Sequence, residues 1–180
     1  MFAARNMMFT SAGAELWTPA NMTTAAWYDA DDAATITESA GAVSQWDDKS
    51  GNSVHCVQAS PSQKPLTGSA TINSTNALSF DGTNDYLEKL SESLMDKVEL
   101  SVFAVVQPIA GGDNFQGIIT NSSTTAANRS DLTYYKASGY MAYVRPGSSS
   151  ALASSNVTDV PMVLAGVGSI SGANTTSEIW

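Results

Sequence analysis

The sequence contains very little of the chemistry used for metal binding or covalent catalysis. Cys56 is its only cysteine and His55 its only histidine. One thiol cannot form an internal disulfide, and one histidine with one cysteine cannot complete a four-ligand zinc site. The two residues are also adjacent, and neighbouring residues of a strand point to opposite faces, so they cannot act together as a nucleophile and its base. Packing and sheet hydrogen bonds must therefore hold this fold together.

Positive charge is also scarce. Eight Lys and Arg residues stand against 17 Asp and Glu residues, which gives a net charge of −9. Such a chain repels a phosphate backbone, so nucleic-acid binding is disfavoured. No apolar run reaches the roughly 20 residues that cross a bilayer, and the opening segment lacks the sustained apolar stretch of a secretory signal. We therefore expect no membrane insertion, and we interpret residues 1–24 as an N-terminal arm or docking segment.

The composition favours strands over helices. Ser, Thr, Ala, Asn and Gly abound, whereas only 14% of the residues are charged, which argues against a helical bundle. From residue 25 onwards, short apolar segments alternate with turn residues about every ten positions, the spacing of a β-sandwich or barrel. One domain is expected over 25–180, with strands at 26–28, 42–46, 54–58, 77–80, 100–106, 117–120, 132–135, 140–144 and 162–167.

Three further expectations concern single segments of the domain. Segment 100–106 is apolar on nearly both faces, so we expect it to be a central strand. Leucines at helical spacing predict one helical turn within 88–98. The end of the sequence, 177–180, has the pattern of a strand beginning, and an unpaired sheet edge there would favour self-association.

Three motifs in the first half place aromatic residues beside turns rich in Asp, Asn and Gly. The aromatic residues suit a buried strand and the turns suit the surface. We expect Trp27, Trp46 and Phe103 to meet in one interior between two sheets. The motifs are Trp27-Tyr28-Asp29-Ala30-Asp31-Asp32, Val43-Ser44-Gln45-Trp46-Asp47-Asp48-Lys49-Ser50-Gly51-Asn52 and Leu78-Ser79-Phe80-Asp81-Gly82-Thr83-Asn84-Asp85-Tyr86-Leu87.

With these motifs and the apolar segment 100–106, residues 25–180 resemble the concanavalin A-like lectin/glucanase superfamily, in its laminin-G-like branch. The likeness is greatest to domains of bacteriophage tail and other virion proteins. It implies an all-β, two-sheet antiparallel jelly-roll sandwich with an N-terminal arm. The closing strands that the family carries beyond a position like Trp180 do not occur in this sequence, which leaves open how the far edge closes.

The resemblance also implies a role. It indicates a non-enzymatic virion structural protein (a tail, fibre or capsid-decoration component) at the particle surface, whose lectin-like domain binds host surface glycans. The arm would contact other virion proteins, and a homo-oligomer is expected. Two alternatives stay open: a purely architectural capsid or tail cement protein without a ligand, and a secreted carbohydrate-binding or glycoside-processing protein.

Acidic turns make calcium the metal to consider. Calcium takes six to eight oxygen ligands, and carboxylates and amides supply them. Asp and Asn are equally favoured in turns because they bond to their own backbone, and no EF-hand spacing is present. The candidate ligands are Asp29, Asp31 and Asp32 in the first turn, Asp47 and Asp48 in the second, and Asp81, Asn84 and Asp85 in the third.

Four tyrosines are candidates for stacking against a sugar. Tyr134 and Tyr135 are adjacent, and Tyr140 and Tyr143 are three positions apart, so each pair places its members on opposite faces of a strand. One tyrosine of each pair is therefore expected at a surface, where glycan-binding proteins use aromatic rings.

No group of residues predicts catalysis. Glycoside hydrolysis needs two carboxyls about 5 to 9 Å apart across the sugar bond. Only Glu88 and Glu92 have a suitable offset, and the residues between them indicate a loop or helical turn. No Gly-x-Ser-x-Gly nucleophile motif occurs, so the sequence predicts a protein without enzymatic activity.

Overall fold

The computed structural model describes residues 18–89, 99–109, 111–120, 131–135, 140–144, 151–153, 159–171 and 174–179. Within them the chain forms strands and three short 3-10 turns, so the all-β prediction is confirmed. No helix in these ranges is long and apolar enough to cross a membrane. The predicted arm lies mostly outside the described residues. The 3-10 turns are Pro19–Asn21, Ala33–Thr35 and Pro61–Gln63.

Twelve strands are described, and all their pairings are antiparallel. They are β1 Ile36–Ser39, β2 Ala42–Trp46, β3 Cys56–Val57, β4 Leu66–Ile72, β5 Thr75–Ser79, β6 Glu99–Val106, β7 Phe115–Thr120, β8 Asp131–Tyr135, β9 Tyr140–Val144, β10 Ala151–Ala153, β11 Met162–Ser171 and β12 Asn174–Ile179.

The strands form three sheets. The first has the order β1-β2-β4-β5, with β3 also paired to β2. The second has the order β10-β9-β8-β7, and the third has the order β12-β11-β6. β12 of the third sheet lies close to β9 and β10 of the second.

Two tight hairpins shape the first sheet. Ala40 and Gly41 join β1 to β2, and Asn73 and Ser74 join β4 to β5. All four loop residues have positive φ, between 51° and 84°. Two consecutive left-handed residues are the geometry of a type I′ turn, whose twist matches that of the strands it joins. These turns fix the register of the strands that carry the acidic loops described below.

The main core lies between the second and third sheets. Val102 of β6 and Leu164 of β11 pack against Leu132 and Tyr134 of β8, and all four are buried. Residues two apart on a strand share a face, which brings the alternate residues of β6 to this core. Burying each such side chain contributes about 1.5–3 kcal/mol. The partly buried residues around the cluster are Leu100, Ala104, Val106, Ile118 and Met162.

The structure corrects the prediction that segment 100–106 is a central strand. In the described part of the chain, β6 pairs only with β11 and forms the edge of its sheet. Its other face is open: Phe103 is 64% exposed and Val105 is 63% exposed. The apolar composition of a single strand does not reveal how many neighbours it has, which depends on the order of strands in the sheet.

The shared interior predicted for three aromatic residues is also wrong. Trp46 lies in β2 of the first sheet and Trp27 in the loop before it, both half-buried, whereas Phe103 lies on the open face of the third sheet. The fully buried side chains in and next to the first sheet are smaller, among them Val43, Val54 and Pro65.

Several strands differ from the prediction, which relied on apolar residues to locate strands. Segment 26–28 is irregular, and β3 covers only part of 54–58. β1, β4 and β10 were not predicted. In β1 three of four residues are exposed, so it has no apolar alternation, and pairing with β2 makes it a strand. The helical turn predicted within 88–98 falls almost entirely outside the described residues.

Candidate functional site

The first two acidic motifs form one unit, which we call the acidic clasp and define as residues 27–32 and 47–55. The main-chain amide of Lys49 donates to the carbonyl of Trp27 at 2.7 Å. The side-chain amide of Asn52 reaches the carbonyls of Thr24 and Ala25 at 2.9 and 3.1 Å. The chain entering the domain is thereby tied to the loop that follows β2.

Asp48 is the centre of the clasp. It is only 8% exposed, and its carboxylate accepts four hydrogen bonds. The donors are the amides of Trp27, Ser50 and Val54 and the hydroxyl of Ser50, at 2.7–3.1 Å. Burial alone would raise the pKa of this carboxyl, but the hydrogen bonds outweigh it and hold the pKa below its usual range. Asp48 is a charged anchor for three stretches of backbone.

Lys49 joins the two motifs through its side chain. Its ammonium lies 2.9 Å from an Asp29 carboxylate oxygen and 2.8 Å from an Asp32 oxygen. It also lies 4.6 Å from the centre of the Trp27 ring. The hydrogen bond to Asp32, followed by that to Asp29, raises the pKa of Lys49, and the same contact lowers the pKa of Asp32. A cation does sit between these predicted calcium ligands, and it is a side chain of the protein.

Tyr28 links the two segments of the clasp. Its ring lies 5.3 Å from that of Trp46, tilted by 45°, and its hydroxyl donates to the carbonyl of Val54. The Cys56 thiol donates to the same hydroxyl at 3.2 Å. Burial raises the pKa of Tyr28 and of Cys56. Because the thiolate is the nucleophilic form, a thiol whose pKa is raised is a poor nucleophile.

His55 completes the clasp through one ring nitrogen. Its Nδ1 lies 3.1 Å from the amide nitrogen of Asp48 and 3.1 Å from a carboxylate oxygen of Asp47. Gln45 also donates to this Asp47 oxygen at 2.7 Å.

The third acidic motif closes on itself. One oxygen of Asp81 accepts from the amides of Thr83, Asn84 and Asp85 at 2.8–3.1 Å. These bonds hold the pKa of Asp81 below its usual range. The Asp85 carboxylate accepts from the amide of Asp81 at 2.9 Å. Both carboxylates thus serve the turn that contains them.

Two glycines attach this turn to the loop before β7. The amide of Asp113 donates to the carbonyl of Gly82 at 2.7 Å. A Cβ at Gly112 would overlap with that carbonyl oxygen, so only glycine permits the approach. The third motif is thereby linked to the second sheet.

The structure therefore separates the predicted calcium ligands by what they bind. Asp29 and Asp32 meet at Lys49, and Asp31 accepts from the amide of Asn76 at 3.2 Å. Asp48 binds amides of both the first and the second motif, and Asp47 contacts Gln45 and His55. Asp81 and Asp85 bind within the third motif. Across the described residues, no three His, Cys, Asp or Glu side chains are grouped so that they could share a metal ion. Calcium binding stays a prediction, without a preformed cluster in these residues.

The tyrosines predicted to stack against a sugar differ in burial. Tyr134 is 1% exposed and packs between the second and third sheets, so it is not at a surface where a sugar could stack. Tyr135 is half-buried, and the strand register places Tyr140 opposite it and Tyr143 opposite Leu132. The side chains of Tyr140 and Tyr143 lie outside the described part of the structure.

Sequence reasoning missed Lys49 and Asn76 as organising residues. The Asn76 amide donates to the carbonyl of Ala30 at 2.5 Å and to the hydroxyl of Thr67 at 3.1 Å. Its carbonyl oxygen accepts from the amide of Gly68 at 3.1 Å. Lys49 had a local signal, a lone cation beside two aspartates. Asn76 had none, because its partners lie 46 and 9 residues away.

No protein-family model, curated protein or solved structure matches this chain.

Proposed function

We propose that this chain is a non-enzymatic structural component of a bacteriophage particle. In this proposal residues 25–180 are a jelly-roll sandwich at the particle surface, and residues 1–24 are an arm that binds another virion protein. The observation that carries this proposal is that charged side chains of the three motifs bind other parts of the same domain. Asp48, Lys49 and Asp81 all hold loops together, as expected of motifs that maintain a fold.

Two more features support the structural role. The packing of β6 and β11 over β7 and β8 is the two-layer arrangement on which a jelly roll is built. The net charge of −9 with a Ser- and Thr-rich composition suits a domain that faces solvent. The placement in a phage particle itself rests on the resemblance of the three motifs, since one sandwich hosts many functions.

Attachment to a particle is tested by binding the purified chain to phage particles that lack it. We expect the full chain to sediment with the particles and a chain without residues 1–24 to remain in solution. A substitution in the clasp, Lys49→Gln, is the control, because it changes the domain and leaves the arm intact. Binding that survives deletion of residues 1–24 would contradict the role of the arm.

The adhesive part of the proposal concerns host surface glycans. Many copies on one particle would convert weak sugar contacts into firm attachment. Tyr135 is the one candidate tyrosine whose described side chain is partly exposed. A multimerised domain should bind members of a glycan array, and Tyr135→Ala should reduce the signal while Tyr86→Ala, 41% exposed and outside the second sheet, should not. A silent array would remove the adhesive role.

The burial of Tyr134 favours one alternative, a purely architectural cement protein without a ligand. This protein would bind its particle through the arm, give no glycan signal, and raise the temperature or force at which particles rupture. Measuring particle rupture with and without the chain therefore distinguishes the two roles.

A further inference from the structure

The third sheet carries an open apolar face, which we call the outer patch and define as Phe103, Val105 and Val163. These side chains are 64%, 63% and 67% exposed. Val105 and Val163 are direct cross-strand partners, and Phe103 lies opposite Ala165. Directly opposite residues have Cβ atoms about 5 Å apart, so the three side chains form one continuous surface. A surface of this kind, a few hundred Å² in extent, marks an interaction site in many soluble proteins.

The outer patch lies beside an open strand edge. β6 pairs with β11 along its whole length on one side, and no described strand pairs with it on the other. Residues 100–106 contain no charged residue and no proline. Charged side chains and prolines are the usual means of preventing strand-to-strand association at an edge, and β6 lacks them apart from Glu99 at its first position.

We infer that β6 of a second copy of this chain pairs with β6, antiparallel, about a two-fold axis normal to the sheet. With Phe103 opposite Phe103 of the second copy, Val102 pairs with Ala104 and Ser101 with Val105. Residues that face the core then pair with residues that face the core, because the register shifts by an even number. The two three-stranded sheets become one six-stranded sheet in the order β12-β11-β6-β6-β11-β12.

Self-pairing brings the two outer patches together. Phe103 meets its counterpart at the axis, and the Val105 and Val163 side chains of each copy lie on either side of this pair. An isologous contact of this type closes on itself, so the assembly stops at a dimer. The surface on which the two patches merge has twice the extent of one.

The match of β6 to itself identifies a second copy as the occupant, because the self-paired register sets core-facing residues opposite core-facing residues and Phe103 opposite Phe103. Two chains of net charge −9 repel each other over most of their surfaces, but residues 100–106 contribute no charge to that repulsion. The same neutrality offers nothing to attract a cationic protein or a nucleic acid. The three side chains expose less than the roughly 800 Å² per partner of a standard interface, so the hydrogen bonds of the strand edge must supply the rest. We therefore expect a dimer that dissociates on dilution.

The inference rests on the homo-oligomer in the proposed function and names its surface. Sedimentation equilibrium of the full chain over a range of concentrations should show a monomer–dimer equilibrium. Phe103→Lys and Phe103→Glu should each weaken dimerisation by about tenfold or more, because each brings two like charges together at the axis. An equal mixture of the two variants should recover the dimer, because opposite charges then meet. Met22→Glu, which adds a charge at a residue 52% exposed outside the third sheet, should dimerise like the wild type.

Recovery in the mixture separates this arrangement from any other dimer. Phe103 is exposed, so both variants should keep the melting temperature of the wild type within a few degrees, which circular dichroism checks. A wild-type chain that stays monomeric, or variants that dimerise alone as well as the wild type, would overturn the inference. A monomeric chain that still binds particles would overturn the dimer and leave the attachment role standing.

Discussion

At the scale of single residues, carboxylates that could have bound a ligand are used to fasten backbone. Asp48 is the clearest case, since one buried carboxylate accepts hydrogen bonds from Trp27, Ser50 and Val54. A charged acceptor strengthens each of these bonds, and losing it leaves buried amides without a full set of partners. The clasp should therefore depend on Asp48 more than on any exposed aspartate of the same motifs.

Replacing Asp48 with Asn should lower the free energy of unfolding at neutral pH by about 1–3 kcal/mol, because charge-assisted bonds become neutral ones. The pKa of Asp48 is depressed in the folded chain. The stabilisation is therefore complete above the unfolded pKa, about 4, and is lost as the pH falls through the folded pKa. Urea titrations between pH 2 and 7 (roughly the range that brackets both states) should show a smaller acid dependence for the variant.

Asp113→Asn is the matched control for this measurement, since Asp113 is exposed. Its acid dependence should match that of the wild type. If Asp48→Asn loses stability by the same amount at every pH, the carboxylate charge would not be the source of the effect.

At Thr133 we expect a substitution to raise the stability of the domain. Thr133 is 3% exposed, and its hydroxyl has no hydrogen-bond partner among the described residues. Burying an unpaired hydroxyl costs about 1–3 kcal/mol, so Thr133→Val, which keeps the shape and removes the hydroxyl, should raise the free energy of unfolding by about 1 kcal/mol. Thr133→Ser keeps the hydroxyl, loses the methyl group, and should destabilise. Thermal unfolding of the three proteins tests this, and a less stable Val variant would indicate that the hydroxyl has a partner in solution.

At the scale of elements, close contact between two loops depends on a glycine. Gly112 has φ 65° and lies against the Gly82 carbonyl. Gly68 has φ 73°, and a Cβ added there would meet no atom of the described residues within 4 Å. Both substitutions to Ala place the new residue in the left-handed region, so the cost of that conformation is similar in the two variants.

Gly112→Ala should therefore be the more destabilising of the two by about 1–3 kcal/mol, since it alone forces the third motif away from the loop before β7. Differential scanning calorimetry of both variants measures the difference. Equal melting temperatures would show that the contact between these loops does not contribute to stability.

The strands show which elements a single sequence can reveal. β2 and β9 were predicted with their observed bounds, because a turn rich in Asp, Ser, Gly and Asn follows β2 at once, and aromatic and apolar residues dominate β9. β1 was missed because most of its residues are polar, and β4 was missed because it mixes small, polar and apolar residues without a clear pattern. Among the site residues, the aspartates were correctly assigned to turns. What they bind depends on chain segments about 20 residues away, which local patterns do not encode.

At the scale of the whole molecule, the position of the core decides how much stability is lost when a large apolar residue is replaced. Leu132 is fully buried between two sheets, and Phe103 lies on the open face of one of them. Leu132→Ala should lower the free energy of unfolding by about 2–5 kcal/mol, through lost burial and the cavity it leaves. Phe103→Ala should change it by less than about 1 kcal/mol. Chemical denaturation at a concentration where the chain is monomeric compares the two, and a large loss for Phe103→Ala would place that residue inside a core.

The ammonium of Lys49 lies between Asp29 and Asp32, so one side chain of the second motif balances two carboxylates of the first. At this point the chain supplies its own counter-ion, and removing that charge would leave two aspartates close together without one.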